Sequence, residues 1–441
     1  MSSIKTSAVE MVKAIKKGEI SSEELVKNYI EQIKKKEKDV EAFQFFDEEL
    51  VLAQAKKLDA LHQAGQHGDL HGIPVGVKDI FDTIDMPTED GTEIHKKNPS
   101  LNDCTVVSKL KQAGAIIMGK TVTTELAYYS PGKTKNPHDL SRTPGGSSSG
   151  SAAAVASHMV PLAIGSQTNG SVIRPASYCG VVGYKPTKGL ISRHLVMQIS
   201  RTLDHVGVFA NSIEDAALIS EQLVGHDKQD PDTSLNPKPK LLNASRQKPP
   251  MEPLLAYIKL PFMDRLDKDA AEGFVEIKDE LKGKIDEIEL PKGFGKIPEW
   301  HKIIMESDMA SSFSEEYKKS KNKLSGKILE AIERGMKYTS IEYNNALSQI
   351  DVANAYFKQF FHDYDAIITP AANGEAPKDL ESTGDPIFST VWTYCGMPSI
   401  SLPLLHGKNK LTVGVQLVSS LFDDERLFRN ASWLKKKLKD N

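Results

Sequence analysis

Residues 143–165 read Thr143-Pro-Gly-Gly-Ser-Ser-Ser-Gly-Ser151, then Ala152-Ala-Ala-Val-Ala-Ser-His158, then Met159-Val-Pro-Leu-Ala-Ile-Gly165. The first nine are a polar loop, because Gly, Ser and Pro supply turn geometry and disfavour element interiors. The alanine run at 152–158 reads as a helix, alanine having the highest intrinsic helix propensity. Residues 160–165 form a short apolar strand. The alternation continues upstream: 73–77 is an apolar strand with Pro74 tolerable at its start or at an edge, 105–112 is a helix, 115–118 a strand and 123–129 a helix. It also resumes downstream, with strands at 254–260 and 285–290 around a helix at 267–281, long helices over 302–362, strands at 366–369 and 411–418, and a closing helix from Asp424. Strand and helix in repeated alternation predict an α/β fold with a largely parallel sheet.

The first 65 residues differ in being helical. Ser21 and Glu24 make a capping-box pattern ahead of a helix of about 14 residues, and a second helix over 47–64 stops at Gly65. Residues 166–189 are rich in Gly, Ser and Pro, yet Ile173, Val181, Val182 and Tyr184 can anchor them in a core. They read as a structured loop at a functional surface. Composition shifts toward Asp, Lys, Pro and Asn at 225–252, the best internal boundary or a surface loop. The organisation expected is a single domain with N-terminal helices (1–65), a core (66–224), a variable segment (225–300) and C-terminal helices and strands completing the sheet (301–441). No internal repeat is present.

The chain is 441 residues long, 39% hydrophobic and 26% charged, with a formal net charge of −3. That balance lacks the clustered basic excess of a nucleic-acid-binding face, so no nucleic-acid partner is expected. Lys34-Lys35-Lys36 and Lys435-Lys436-Lys437 lie on amphipathic helical patterns and read as solvated faces. No apolar run approaches the roughly 18 residues that span a bilayer, so no membrane partner is expected. Met1-Ser-Ser-Ile-Lys5 has no apolar signal region. Cys104, Cys179 and Cys395 are odd in number and far apart, which fits a reducing cytoplasm better than a disulfide framework; Cys179 and Cys395, like Met118 and Met159, read as core. His62, His67 and His71 lie close together but follow no HExxH or comparable metal pattern, so no metal site is expected there.

Three segments could carry chemistry: Gly72-Ile-Pro-Val-Gly-Val-Lys78-Asp79, the loop 143–151, and Gly165-Ser-Gln-Thr-Asn-Gly170-Ser171-Val-Ile-Arg174-Pro175. Amide hydrolysis needs a nucleophile, a proton carrier and donors for the oxyanion. A serine hydroxyl is a poor nucleophile without a nearby base. Lysine can be that base when neutral, and Lys78 follows an apolar run whose poor solvation would lower its pKa. A bridging serine would then relay a proton between Lys78 and Ser171. Backbone N–H groups of 168–171 can converge on a developing oxyanion, each worth roughly 2.7–4 kcal/mol in the transition state.

These residues resemble the amidase signature family. The resemblance runs from about Gly72 to Val224, and more weakly through 365–403 and 413–418. It rests on Gly145-Gly-Ser-Ser-Ser-Gly-Ser-Ala-Ala-Ala-Val155, on Gly170-Ser171, and on Cys179-Gly-Val-Val-Gly183-Tyr-Lys-Pro186-Thr. It implies a three-layer α/β/α fold with a mixed central sheet flanked by helices, and a Ser-cisSer-Lys triad. Ser171 falls on the nucleophile, Ser147 on the bridging serine after a cis peptide, and Lys78 on the base. Ser148 falls on a residue that supports the lysine by hydrogen bonding, and the main chain of Thr168, Asn169, Gly170 and Ser171 on the oxyanion donors. Asn169 departs from the glycine common in the family and puts the room beside the nucleophile in doubt. No metal or organic cofactor is implied, the location implied is cytoplasmic, and the assembly a homodimer.

The substrate implied is a small amide. Arg174 suits a substrate carboxylate through its two-pronged guanidinium or equally a buried structural ion pair, and Gln167 is a second candidate for substrate binding or for bracing the loop. The stretches 171–175 and 382–386 resemble the malonamidase-type branch, which hydrolyses small carboxylated amides such as malonamate. Two alternatives stay open: a hydrolase of carboxylated ureides of the allophanate or carboxybiuret type, and the glutaminase subunit of a tRNA-dependent amidotransferase. A further rival takes Gly146-Ser-Ser148-Ser-Gly150 as a GxSxG nucleophile elbow with Ser148 as nucleophile, which requires a preceding strand and a later acid and histidine.

Overall fold

A computed structural model describes residues 6–438; the Met1–Lys5 stretch, read as lacking an apolar signal region, lies outside them. Eleven strands form one sheet: β1 (Phe43–Phe45), β2 (Pro74–Lys78), β3 (Ile116–Thr121), β4 (Leu162–Gln167), β5 (Val182–Lys185), β6 (His205–Ala210), β7 (Leu255–Lys259), β8 (Ile285–Glu289), β9 (Ala366–Pro370), β10 (Ser399–His406) and β11 (Thr412–Val418). Their spatial order is β1-β3-β2-β4-β6-β5-β10-β11-β9-β7-β8. The sheet is mixed. β2 runs parallel to both β3 and β4, and β7 to both β8 and β9, while β6, β5, β10 and β11 join these blocks through antiparallel pairs. Helices flank it, giving the expected α/β/α layering.

β2, β3 and β4 are buried along their whole length. That is why they read as continuous apolar runs: a parallel strand covered on both faces has no solvated side to alternate toward. Pro74 stands first in β2, where its missing N–H costs no ladder bond. Because β2 and β4 are parallel neighbours, with Val77 opposite Ile164, Lys78 at the end of one and Ser166 and Gln167 at the end of the other emerge from the same edge. Open α/β sheets place ligands at that carboxyl edge.

The helix Thr105–Gln112 lies where it was expected. The capping box at Ser21 and Glu24 forms, but its helix, Ser22–Val40, runs 19 residues. The helix Glu48–Gln63 follows. Three expectations fail. The sheet is not largely parallel, because β6, β5, β10 and β11 enter as antiparallel neighbours and six of the ten strand pairings are antiparallel. Residues 123–129 hold only a single tight turn, Glu125–Ala127, broken by Leu126 at φ 45. Residues 166–189 are not a loop throughout: a helix, Ile173–Cys179, and β5 lie within them. Pro175 is accommodated because it falls in that helix's first turn, where an N–H is dispensable. Of the two readings of 225–252, the surface loop is the one that fits: the single sheet draws strands from both sides of the segment, which carries one short helix, Leu241–Arg246.

Gly165 in β4 has a specific steric reason. A Cβ there would stand 2.6 Å from Ser148 Oγ and 2.8 Å from Phe209 Cε2. Gly165→Ala must therefore push Ser148 off the strand end or spread the β4–β6 pair. Overpacking of this kind costs about 1–3 kcal/mol, and thermal or denaturant unfolding of Gly165→Ala should show a loss of that size together with reduced activity.

Candidate active site

Lys78, fully buried, places Nζ 2.7 Å from Ser147 Oγ and 2.8 Å from Ser166 Oγ. Burial drives its pKa well below the ordinary lysine value, only partly opposed by the Asp204 carboxylate. A neutral amine has two N–H donors and one lone pair. One N–H can serve Ser166 while the lone pair takes the Ser147 hydroxyl proton. Ser147 follows a cis Gly146–Ser147 peptide and precedes the helix Ser149–Ala156. Of the three expected triad members, Lys78 is sealed, Ser147 is 2% exposed and Ser171 is 8% exposed. Ser171 is thus the one with most access to an incoming substrate.

Sequence reasoning did not single out Ser166, the second partner of the lysine. Ser148, expected to hold the lysine, instead donates to the Ser166 carbonyl at 3.1 Å and accepts from the Ser166 N–H at 3.3 Å. It braces the end of β4 and reaches Lys78 only through Ser166. With its oxygen fully buried and committed to those two bonds, Ser148 is a poor nucleophile candidate, and a loop rather than a strand precedes it. The GxSxG alternative loses its support on both counts.

The segment 167–171 is held from outside by side chains distant in sequence. His301 Nε2 donates to the Thr168 carbonyl at 2.8 Å, and burial lowers the His301 pKa to about 4, keeping the ring neutral. Thr393 Oγ1 donates to the Asn169 carbonyl, and the Gly170 carbonyl accepts from the Arg174 backbone N–H. In a trans peptide, N–H and C=O point in opposite directions. With these three carbonyls occupied, the N–H groups of Asn169, Gly170 and Ser171 each point away from the carbonyl of their own peptide. The Thr168 hydroxyl donates to Asp204 at 2.7 Å; that carboxylate also accepts from Ile199 and Ser200 N–H groups, and burial raises its pKa to about 6. Asn169 is anchored by its own side chain, which accepts from Thr390 Oγ1 at 2.8 Å and donates to Tyr129 OH at 3.2 Å.

Gln167 is committed to the loop that follows β4. Its Oε1 accepts from Val172 and Ile173 N–H groups and its Nε2 donates to Thr393 Oγ1, so both ends of the amide are consumed by the loop and the start of the following helix. These bonds brace the loop, one of the two roles the sequence left open for Gln167. Arg174 is 1% exposed. Its Nη2 donates to the Gly146 carbonyl at 2.7 Å and to Thr383 Oγ1 at 3.1 Å, while Nε and Nη1 have no partner among the described residues.

Two cavities flank this strand end. One, about 370 Å³, is lined by Ser166, Thr168, Arg193 and Asp204 among others. The second, about 450 Å³, is lined by Tyr129, Asn169, His301, Thr383, Asp385 and Arg334 among others. In the second, Glu306 is paired with Arg334 at 2.7 Å and Asp385 with Arg265 at 2.9 Å, so both carboxylates are compensated.

The profile of the Amidase family matches residues 24–428. The glutamyl-tRNA(Gln) amidotransferase A subunit of Agathobacter rectalis is 33% identical, over 96% of this chain and 92% of its own length; that of Gloeothece citriformis is 34% identical, over 96% and 95%. Among solved structures, a chain described with a vestigial protein complex that reveals the evolutionary origins of an s-triazine catabolic enzyme superposes with a TM-score of 0.91, at 26% identity and with 98% of both chains covered. The native peptide amidase of Stenotrophomonas maltophilia superposes with a TM-score of 0.84, at 25% identity, covering 99% of this chain and 97% of its own.

Proposed function

Because this chain belongs to the amidase family and hydrolyses amide C–N bonds, we propose that its substrate is a small amide bearing a carboxylate, cleaved through an acyl-enzyme on Ser171. The observation that carries the substrate reading is the Arg174 guanidinium. A buried cation without a carboxylate partner is costly unless charge or hydrogen bonds compensate it. Two of its three nitrogens have no acceptor among the described residues, and the third is fixed between the carbonyl before Ser147 and Thr383, a residue of the second cavity's wall. A substrate carboxylate presented from that cavity would supply the missing acceptors.

The proposed chemistry uses only the chain's own groups. Ser171 Oγ attacks the amide carbonyl carbon, its proton passes to Ser147 Oγ, and the Ser147 proton passes to Lys78 Nζ. The carbonyl oxygen gathers negative charge facing the N–H groups of 169–171. When the C–N bond breaks, the relay runs backward and delivers the proton to the departing nitrogen. Water then attacks the ester by the same relay and releases the carboxylic acid.

The test is a panel of malonamate, allophanate, carboxybiuret, biuret, glutamine and aryl amides assayed with wild type and Arg174→Ala. Hydrogen bonds to charged groups contribute about 1.5–3 kcal/mol each. Arg174→Ala should therefore lose on the order of 100-fold in kcat/KM on carboxylated amides and far less on neutral ones. An equal loss across the panel would reduce Arg174 to a structural brace of the Gly146 carbonyl. A second reading, a glutaminase subunit working with a partner, is favoured by the amidotransferase relatives, which align along nearly their whole length. Appreciable turnover of small amides by the isolated chain supports the hydrolase reading; glutamine hydrolysis that appears only with added partner proteins supports the other.

A further inference from the structure

The three histidines left unassigned by sequence pattern come together in space. His62 sits at the end of the helix Glu48–Gln63. That helix closes with Gly65 N–H on the His62 carbonyl and Gln66 N–H on the Leu61 carbonyl, with Gly65 at φ +75. This is a Schellman turn, which needs a left-handed residue just past the helix and so favours glycine. It folds the chain back so that His67 Nδ1 lies 3.0 Å from His62 Nδ1. The next segment is fixed independently: Leu70 N–H donates to the Ala113 carbonyl and Gly72 N–H to the Gly114 carbonyl, pinning buried His71 between them. One ring nitrogen from each of the three histidines lies within 4.8 Å of the others, and the ring centroids are 4.5, 5.6 and 6.0 Å apart.

We propose that His62, His67 and His71 form a binding site for a divalent late transition-metal ion of the zinc type. Zinc–imidazole bonds of about 2.0–2.1 Å in tetrahedral geometry separate ligand nitrogens by about 3.3 Å. His62 Nδ1 and His67 Nδ1, 3.0 Å apart, are near that spacing, and a ring nitrogen of His71 lies within 4.8 Å of them. His71 also carries the outer support expected of a metal-bound histidine. Its Nε2 lies 3.1 Å from the Leu58 carbonyl, which can only accept. Nε2 is therefore the protonated nitrogen and Nδ1 holds the lone pair, the tautomer that a backbone carbonyl fixes in metal sites. Three imidazoles with no thiolate select Zn²⁺, Cu²⁺, Ni²⁺ or Co²⁺ over Mg²⁺ and Ca²⁺, which prefer oxygen. Burial grades from sealed His71 through half-buried His62 to exposed His67, so the cluster is reached by solvent from the His67 side. The nearby Asp59 carboxylate is occupied, accepting from Ser22 and Glu23 N–H groups. A bound ion would staple the end of the helix Glu48–Gln63 to the segment that runs into β2 and ends on Lys78.

The site is tested on the untagged full-length chain, stripped with chelator. Titration calorimetry with ZnCl₂ should give one ion per chain with saturable binding. His67→Ala and His62→Ala, both at the accessible rim, should weaken it by about tenfold or more. Zinc should raise the melting temperature of wild type and not that of His67→Ala, as ligand linkage to the folded state requires. Substitution with Co²⁺ should give the visible absorption of a tetrahedral nitrogen-rich site in wild type alone. Weak binding of several ions that is unchanged in both variants, or a melting shift of equal size in wild type and His67→Ala, would overturn the proposal. None of these readouts depends on amide hydrolysis.

Discussion

Ser171→Ala should leave a folded protein whose kcat for amide hydrolysis is lower by about 10⁴–10⁶-fold, the range seen when single members of an acyl-transfer triad are removed. The substitution removes one oxygen from a side chain at the surface of the site, and the N–H groups of 169–171 stay where His301 and Thr393 hold the opposing carbonyls. The residual rate should be what binding and oxyanion contacts provide without a covalent intermediate. Adding Lys78→Met to Ser171→Ala should cost little more, because residues that act as one unit are not additive. The measurement is steady-state kinetics on the best substrate of the panel, with circular dichroism to show that the fold is intact.

The second large effect belongs to Lys78. Lys78→Met retains the buried chain length but not the amine, and should lower kcat by about 10⁴-fold or more, with no single histidine variant having a comparable effect. The pH dependence follows from the direction of the pKa. Burial holds the Lys78 pKa well below the ordinary lysine value of 10.5. The base is therefore present above the folded-state pKa and lost below it, so wild-type kcat/KM should fall as pH drops through that value. The same displacement acts on stability with a fixed sign. In the unfolded chain Lys78 binds a proton up to its ordinary value, while in the folded chain it does not. Stability rises with pH wherever the unfolded state binds more protons. Between the two pKa values, the stability of wild type relative to Lys78→Met should improve by up to about 1.4 kcal/mol for each unit of pH. Denaturant unfolding at several pH values between about 7 and 10 checks it; a flat difference would mean that the amine is charged in the folded protein.

Features legible in the sequence are those whose physics is local. Buried parallel strands announce themselves as apolar runs, so the apolar stretches at 73–77 and 160–165 fall within two residues of β2 and β4, and Lys78, Ser147 and Ser171 lie in glycine-rich segments of fixed spacing. The capping box at Ser21 and Glu24 is a contact across three residues. Features hidden from the sequence are those that the tertiary fold supplies. Thr393 meets Gln167 across 226 positions and His301 meets Thr168 across 133, and neither residue stands in a recognisable motif. Ser166 looks like any strand-end serine until the parallel pairing of β2 and β4 brings it to Lys78. The sequence leaves Gln167 open between substrate and loop because its neighbours are catalytic candidates; in the fold its amide oxygen is taken up by two helix-start N–H groups that need an acceptor. The helix Ile173–Cys179 is masked by Pro175 and by the small residues around it. The histidine cluster escapes pattern matching because a Schellman turn, not a helical i,i+4 spacing, brings His62 and His67 together.

The central claim is that Ser171 is acylated, with Ser147 and Lys78 carrying its proton. The most direct test is labelling with a fluorophosphonate, which phosphonylates an activated serine, followed by intact-mass measurement and peptide sequencing. One label per chain is predicted, on Ser171, with no label on Ser171→Ala and greatly slowed labelling of Lys78→Met. A label on Ser148, or labelling of Ser171→Ala at the wild-type rate, would contradict it.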